Sequence, residues 1–164
     1  MTPRSVRRMA MLLAAVGLAA GRPHGIAFGQ PFLKARRLLS IVGYSPGRRF
    51  VRPTGLAVDE RGRALYVADP DQGEIAVFTL QGAPTFVIKE GAGFRPVAIC
   101  TRASGELLVL DERENAVKAL VKRELRVRLR LSDGASSDPP NISRMAVDSR
   151  GNLYLVDQRN CRIL

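Results

Sequence analysis

The sequence predicts an all-β fold made of four-stranded antiparallel sheets that repeat along the chain. A common pattern of apolar, glycine and aspartate positions recurs three times. Each copy consists of runs of four to seven residues rich in Leu, Val, Ile and Tyr, separated by polar turns, which is typical of β-strands. The 164 residues are 46% hydrophobic and 25% charged, so they can form the core of one domain and do not resemble a disordered chain.

The repeat has a period that is typical of one blade of a β-propeller. The three copies lie at about residues 53–88, 96–131 and 143–164. Glycines at equivalent points, Gly62, Gly105 and Gly151, are separated by 43 and 46 residues. Four antiparallel strands in about 45 residues form a propeller blade. The sequence therefore predicts a β-propeller-type array.

Each copy also carries two turn signals at fixed places. The glycines between the first two strand runs are Gly62, Gly105 and Gly151, and the aspartates that end the second run are Asp69, Asp111 and Asp157. We expect the glycines to supply the positive φ that a tight hairpin needs. A short carboxylate at the end of a strand can accept hydrogen bonds from backbone N–H groups of the next turn. All six residues are predicted to be structural.

The first copy reads Pro53-Thr-Gly-Leu-Ala-Val-Asp59, then Ala64-Leu-Tyr-Val-Ala-Asp69, then Glu74-Ile-Ala-Val-Phe78. This signature resembles an NHL repeat, and the third copy is similarly close. The second copy departs from it at Arg102, which stands where the other copies have their first aspartate. The resemblance covers about residues 37–164 and implies a propeller, usually of six blades in this family. It implies no particular activity, because propellers host unrelated functions.

The strand count predicts about three blades, which make an incomplete ring. Residues 37–42 are interpreted as the outer strand of a preceding blade, giving twelve strands in all. Propellers close with about four to eight blades. Three alternatives follow: a truncated propeller, a non-functional remnant of one, or half of a homodimeric six-bladed ring. In the homodimer the N-terminal strand would complete the last blade of the partner.

The N-terminus is predicted to be a secretory signal peptide, residues 1–29, followed by a short linker, residues 30–36. Three arginines precede an apolar run at residues 9–20, which is shorter than the roughly 20 residues of a membrane span. Cleavage is predicted after Gly29 or after Ala20, with an uncleaved anchor as the alternative. The protein is then secreted or periplasmic, and no membrane span remains after cleavage.

Removal of residues 1–29 changes the charge of the protein. The whole chain carries a net charge of +11, but this segment contains four arginines and no acidic residue. The remaining chain has 22 basic and 15 acidic residues, a net charge of +7. His24, the single histidine, is removed as well. A positive charge of this size is compatible with an anionic partner.

The clearest basic feature is Arg126, Arg128 and Arg130, at every second position of one strand run. A period of two predicts that the three guanidinium groups lie on one strand face. They form a candidate surface for an anionic partner such as a glycan or a lipid headgroup. The alternative interpretation is a solvated edge strand whose charges prevent edge-to-edge pairing. Nucleic acid is disfavoured because the run has no aromatic residues for stacking.

The sequence predicts no catalytic residue, no metal site and no cofactor. Without His24, no Ser–His or Cys–His pair can form. Cys100 lies inside a strand run and is interpreted as a buried apolar residue, whereas Cys161 lies at a turn. An oxidising compartment would also permit a Cys100–Cys161 disulfide.

An axial divalent cation, as some enzymes of propeller shape have, is the enzymatic alternative. Lactonases and gluconolactonases of propeller shape hold such an ion with Glu, Asp and Asn. The candidate oxygen ligands for Ca²⁺ are Asp59, Asp148, Asn152 and Asn160. Their repeat-equivalent placement favours turn and cap roles. The sequence therefore predicts an exported scaffold whose loops bind a protein or a glycan, with a lactonase- or lyase-like enzyme as the alternative.

Overall fold

The structure is a computed structural model that describes residues 39–131 and 140–164. These residues belong to one compact unit. The predicted signal peptide, its cleavage points and the linker lie outside the described residues. The described part of the chain consists of strands and the turns between them. It contains no helical segment that could span a lipid bilayer.

The strands form four antiparallel sheets in which the order follows the sequence. A small hairpin contains β1 (Gly43–Ser45) and β2 (Arg48–Arg49). Blade 1 contains β3 (Gly55–Asp59), β4 (Ala64–Asp69), β5 (Glu74–Thr79) and β6 (Pro84–Ile88). Blade 2 contains β7 (Pro96–Thr101), β8 (Leu107–Asp111), β9 (Ala116–Val121) and β10 (Glu124–Arg130). Blade 3 contains β11 (Ile142–Val147), β12 (Leu153–Asp157) and β13 (Arg162–Ile163).

The predicted all-β fold of four-stranded blades is confirmed, but the predicted first strand is wrong. Residues 39–42 lie outside any strand, and the chain instead pairs Gly43–Ser45 with Arg48–Arg49. Pro46 and Gly47 explain the difference, because proline and then glycine at the centre of a turn favour a type II turn, and Gly47 has a φ of 82°. The described residues therefore contain thirteen strands rather than twelve.

Blade 2 lies between the other two blades. One apolar cluster joins it to blade 1 and includes Ile75 and Val109, and a second joins it to blade 3 and includes Leu110 and Leu155. Strand β8 is buried along its whole length, because both of its faces are covered. Each fully buried Leu or Ile side chain contributes about 1.5–3 kcal/mol to the free energy of unfolding. The continuous apolar run at residues 107–110 follows from this central position.

The blades pack by using the same positions of the repeat. Positions are counted here from the aspartate that ends the second strand. The residues three and one positions before this aspartate, and the residue six positions after it, face the next blade along the chain. In blade 1 these residues are Tyr66, Ala68 and Ile75, and in blade 2 they are Leu108, Leu110 and Val117. All six are buried. One side of each blade is therefore built to cover the next blade along the chain.

Candidate binding surfaces

The aspartate that ends the second strand ties each blade to the segment that enters it. Asp69 accepts hydrogen bonds from the backbone N–H of Val51 at 2.7 Å and from that of Gln72 at 3.3 Å. Asp111 accepts them from the backbone N–H of Arg95 at 3.3 Å and from that of Arg113 at 3.1 Å. Both carboxylates are buried. They hold the loop before the blade against the turn after the second strand.

Asp157 has the same place in blade 3 and is also fully buried. Its oxygens accept hydrogen bonds from the backbone N–H of Asn141 at 3.1 Å, from Asn160 Nδ2 at 2.8 Å and from Arg162 Nε at 3.0 Å. Burial disfavours the charged carboxylate, but the hydrogen bonds from Asn160, Arg162 and the backbone outweigh it and lower the pKa of Asp157 to about 2. The turn therefore stabilises the charged form of the Asp157 carboxylate.

The hairpin glycines divide into two cases. Gly105 and Gly151 have φ values of 88° and 89°, but Gly62 does not have a positive φ, and Arg63 takes the left-handed conformation with a φ of 52°. The expectation for Gly62 is wrong because the loop in blade 1 has four residues, whereas those in blades 2 and 3 have five. Gly62 instead allows a close approach, since a Cβ there would collide with the Asp59 carboxylate.

The three arginines of β10 do not share one face. Arg126 lies opposite Ala119 of the neighbouring strand and Arg130 lies opposite Ala116, with a β-bulge between them around Arg128. Directly opposite residues share a face, and the two alanines are three residues apart, so they point to opposite faces. The bulge inserts an extra residue and breaks the period of two. The predicted arginine face is therefore wrong in its geometry.

Two of these arginines are also paired with acidic side chains. Arg128 Nη2 donates a hydrogen bond to Glu106 Oε1 at 3.1 Å, and Arg126 Nη2 lies 3.5 Å from Glu124 Oε2. All four side chains are at least partly exposed, so these pairs contribute little to stability. They do reduce the positive charge that β10 would present to an anion.

A second set of exposed ion pairs links blades 1 and 2 at the loops that enter them. Arg52 Nε lies 2.8 Å from Asp71 Oδ2, Arg95 Nη2 lies 3.6 Å from Asp71 Oδ1, and Arg95 Nε lies 2.9 Å from Glu112 Oε2. The hydrogen bond from Arg52 lowers the pKa of Asp71. Positive and negative groups alternate along this row, so the loop end is not a surface of one sign.

Lys118 is the most unusual charged residue, because its side chain is buried in the middle of β9. Its Nζ lies 2.5 Å from Glu90 Oε2, 2.8 Å from Asp111 Oδ2 and 2.9 Å from Glu114 Oε1. It also lies 5.7 Å from the centroid of the Phe94 ring. Burial disfavours the ammonium, but the hydrogen bonds to the three carboxylates outweigh it and raise the pKa of Lys118.

This cluster also contains three carboxylates that lie close enough together to hold a metal ion. The ligand oxygens of Glu90, Asp111 and Glu114 lie within 4.8 Å of one another, and the Lys118 ammonium lies among them. The sequence analysis missed this cluster. Its signal is a single lysine inside the apolar run at residues 116–121, next to an acidic turn.

The four candidate calcium ligands make hydrogen bonds within their own turns. Asp59 Oδ1 accepts hydrogen bonds from two backbone N–H groups of its hairpin. Asp148 accepts them from the backbone and side chain of Asn152, both at 2.8 Å, and the bonds from Asn152 lower the pKa of Asp148. Asn160 donates to Asp157. These contacts belong to turn and cap roles.

Both cysteines lie among the described residues and are free thiols. Cys100 is partly buried, and burial raises the pKa of its thiol to about 11, so the thiolate is disfavoured at neutral pH. Cys161 is exposed and has a φ of 48°. Gly73 and Asn115 have the equivalent place in blades 1 and 2 and also have positive φ. The turn therefore requires a left-handed residue in all three blades.

The outer face of blade 3 exposes apolar side chains. Its positions correspond to those by which blades 1 and 2 cover the next blade. The equivalent residues are Tyr66 and Tyr154, Ala68 and Val156, and Ile75 and Ile163. Tyr66 is 8% exposed and Ile75 is fully buried, whereas Tyr154 is 46% and Ile163 is 71% exposed. We call Tyr154, Val156 and Ile163 the last-blade face.

The opposite side of blade 1 is covered only in part. Tyr44 and Phe50 of the N-terminal hairpin pack on Phe78, with ring centroids 6.1 and 6.2 Å apart. Nearer the first strand of the blade, Leu56 and Val58 are 66% and 45% exposed. We call Leu56 and Val58 the first-blade face.

Comparison with known proteins decides the family. No protein-family model matches the chain. Human NHL-repeat-containing protein 4 is 31% identical over 87 residues, which are 53% of this chain and 69% of that protein. The chain belongs to the NHL-repeat family. The mouse NHL-repeat-containing protein 4 is 30% identical over 89 residues, which are 54% of this chain and 64% of that protein.

Solved structures show the same fold as this NHL-repeat chain. A streptogramin B lyase superimposes with a TM-score of 0.54 at 16% identity, over 68% of this chain and 35% of the lyase. A chain of a nidogen/laminin complex superimposes with a TM-score of 0.54 at 25% identity, over 68% of this chain and 42% of that chain. These likenesses establish the propeller architecture. The chain spans about a third of the length of the lyase.

Proposed function

We propose that this NHL-repeat chain is an exported scaffold that binds protein through the last-blade face and has no catalysis of its own. The observation that carries the proposal is the exposure of Tyr154, Val156 and Ile163 at positions that are buried in the other two blades. The likeness to a chain of a nidogen/laminin complex supports protein as the class of partner.

The chemistry of the face favours a protein over a glycan. Val156 and Ile163 are aliphatic, and burying side chains of this kind contributes about 1.5–3 kcal/mol each. The hydroxyl of Tyr154 donates a hydrogen bond to Asp148 at 3.2 Å, so its ring is held in place and its polar end has a partner. A fixed aromatic ring beside aliphatic side chains is typical of the centre of a protein–protein interface.

The face is tested with the apolar dye ANS, at a concentration where light scattering shows a single chain. We expect the wild-type protein to enhance the fluorescence of the dye and the Val156→Lys/Ile163→Lys variant to enhance it less. The control is Val127→Lys, which changes another exposed valine, on β10, and should bind dye like the wild type. Equal dye binding by all three proteins would contradict the proposed face.

The enzymatic alternative, a lactonase- or lyase-like propeller with an axial divalent cation, makes a different prediction. The carboxylates described above accept hydrogen bonds in their own turns or from Lys118, which supports the scaffold. We expect elemental analysis to find no stoichiometric metal and Ca²⁺ to leave the melting temperature unchanged. Bound metal together with a Ca²⁺-dependent rise in the melting temperature would favour the enzyme.

Export is proposed from the N-terminal sequence, which lies outside the described residues. A basic segment followed by a short apolar run is typical of a signal peptide. We expect mass spectrometry of the chain recovered from the periplasm of a bacterial host to give the mass that begins at Gln30 or Gly21. A full-length chain that stays in the cytoplasm would contradict this part of the proposal.

A further inference from the structure

The structure also indicates which protein fits the last-blade face. We infer that a second copy of this chain binds there with its first-blade face, so that two copies form one six-bladed ring. This inference rests on the proposed function, since it requires that the last-blade face bind protein. It is carried by the repeat equivalence of the residues on both sides and by the position of the N-terminal hairpin.

The two faces match an interface that the chain already contains twice. Ile99 of blade 2 packs against blade 1 at Gly55, where an added Cβ would lie 3.1 Å from Ile99 Cγ1. Met145 packs in the corresponding cluster between blades 2 and 3. Leu56 has the place of Ile99 and Met145 in blade 1, and it is exposed. Leu56 of a second copy would therefore meet blade 3 as Ile99 meets blade 1.

The N-terminal hairpin lies where the outer strand of a preceding blade would pack on blade 1. Between blades 1 and 2, Phe86 of the outer strand β6 and Leu120 belong to one cluster. Phe78 is the equivalent of Leu120 in blade 1, and it packs against Tyr44 and Ile41 of the N-terminal segment. This segment thus covers the outer part of blade 1 and leaves Leu56 uncovered for the inner strands of another blade.

Electrostatic contacts hold the hairpin in that position. Arg48 forms an ion pair with Glu74, which is buried at the start of β5, and Lys89 Nζ lies 3.1 Å from the same carboxylate. Glu74 thus joins Arg48 of the hairpin to blade 1, with Lys89 of blade 1 as its second cation.

Symmetry and size agree with two copies. A head-to-tail interface that is repeated about a two-fold axis closes without leaving a face unpaired. Three blades from each copy give six, which lies within the range of about four to eight blades that close a propeller.

Light scattering of the purified full chain tests the inference. We expect twice the mass of one chain for the wild type and the mass of one chain for Val156→Lys/Ile163→Lys. Leu56→Lys, on the opposite face, should also give the mass of one chain. Val127→Lys is the control and should keep the mass of two. Circular dichroism checks that each variant folds. If the double variant does not fold, the mass of Leu56→Lys tests the interface between the two copies.

The outcomes separate this inference from the proposed function. A wild-type mass of one chain, with dye binding that Val156→Lys/Ile163→Lys removes, overturns the ring and leaves the protein-binding face standing. A wild-type mass of one chain with dye binding that no variant changes overturns both. A mass above two chains overturns the closed ring. A mass of two that both face variants reduce to one supports it.

Discussion

Lys118 Nζ lies 2.8 Å from Asp111 Oδ2, and both side chains are almost completely buried. Asp111 also accepts a hydrogen bond from the backbone N–H of Arg95, at the entrance to blade 2. The ion pair therefore joins the middle of β9 to the end of β8 and, through Asp111, to the loop that enters the blade. In blade 1 the position of Lys118 is Ala76, so only blade 2 of these two blades uses an ion pair here.

Replacing Lys118 by methionine should strongly destabilise the protein. Removal of the ammonium leaves the buried Asp111 carboxylate without its cation, and such losses lower the free energy of unfolding by about 3–5 kcal/mol. Urea denaturation measures the change. Arg126→Met is the matched control, because Arg126 and its partner Glu124 are both largely exposed, and it should change stability by less than about 1 kcal/mol. Equal effects for the two variants would contradict the role of Lys118.

The raised pKa of Lys118 predicts a pH dependence on the alkaline side. Its contribution to stability is fully present below the pKa of the unfolded lysine, about 10.4. It is lost as the pH rises toward and through the higher pKa of the folded state. Melting temperatures measured from pH 9 upward should therefore fall more steeply for the wild type than for Lys118→Met. Parallel curves for the two proteins would contradict the prediction.

The lowered pKa of Asp157 predicts the opposite dependence in acid. Its contribution to stability is present above the pKa of an unfolded aspartate, about 3.9, and is lost as the pH falls through the folded pKa of about 2. The melting temperature of Asp157→Asn should therefore fall less between pH 4 and pH 2 than that of the wild type. The control Glu124→Gln changes a largely exposed carboxylate and should keep the wild-type slope. An unchanged slope in Asp157→Asn would mean that the carboxylate is not held as described.

Cys161 should be replaceable by glycine with a gain in stability. Its φ of 48° is unfavourable for a residue with a Cβ, by roughly 1–2 kcal/mol, and blade 1 has Gly73 in this place. Glycine loses more backbone entropy on folding, so we expect a net gain of about 0.5–1 kcal/mol in urea denaturation. Cys161→Ala removes the same thiol but keeps the Cβ, and it should be neutral. A similar gain for alanine would point to the thiol rather than to the backbone.

The repeat made most of the blade architecture predictable from the sequence. Continuous runs of apolar residues, closed by Asp69 or Asp157, place the second strands where the structure has them. Strand pairing could be predicted because the glycine and aspartate signals recur with the apolar runs. The first strand is predicted too early, because the apolar residues of the segment 37–42 favour a strand there. In the structure the turn at Pro46 and Gly47 pairs Gly43–Ser45 with Arg48–Arg49 instead.

The candidate surfaces were less predictable, because they depend on register and on neighbours. A bulge of one residue in β10 separates Arg126 from Arg130, and the apolar and charged pattern of the sequence does not reveal it. The burial of Lys118 depends on Glu90, which is 28 residues away in the sequence. Tyr66 and Tyr154 have the same place in the repeat, and only the presence or absence of a covering blade makes one buried and the other exposed.

A disulfide between copies tests the central claim most directly. Arg144 has the place of Gly55 in blade 3, and Leu56 has the place of Ile99 in blade 1, so the contact between Gly55 and Ile99 predicts a contact between copies. In a Cys100→Ala/Cys161→Ala background, Arg144→Cys with Leu56→Cys should form a covalent two-chain species on a non-reducing gel. The control pair, Arg126→Cys with Leu56→Cys, should stay as single chains. If the Arg144→Cys/Leu56→Cys protein also stays as single chains under mild oxidation, the last-blade face does not bind the first blade of a second copy.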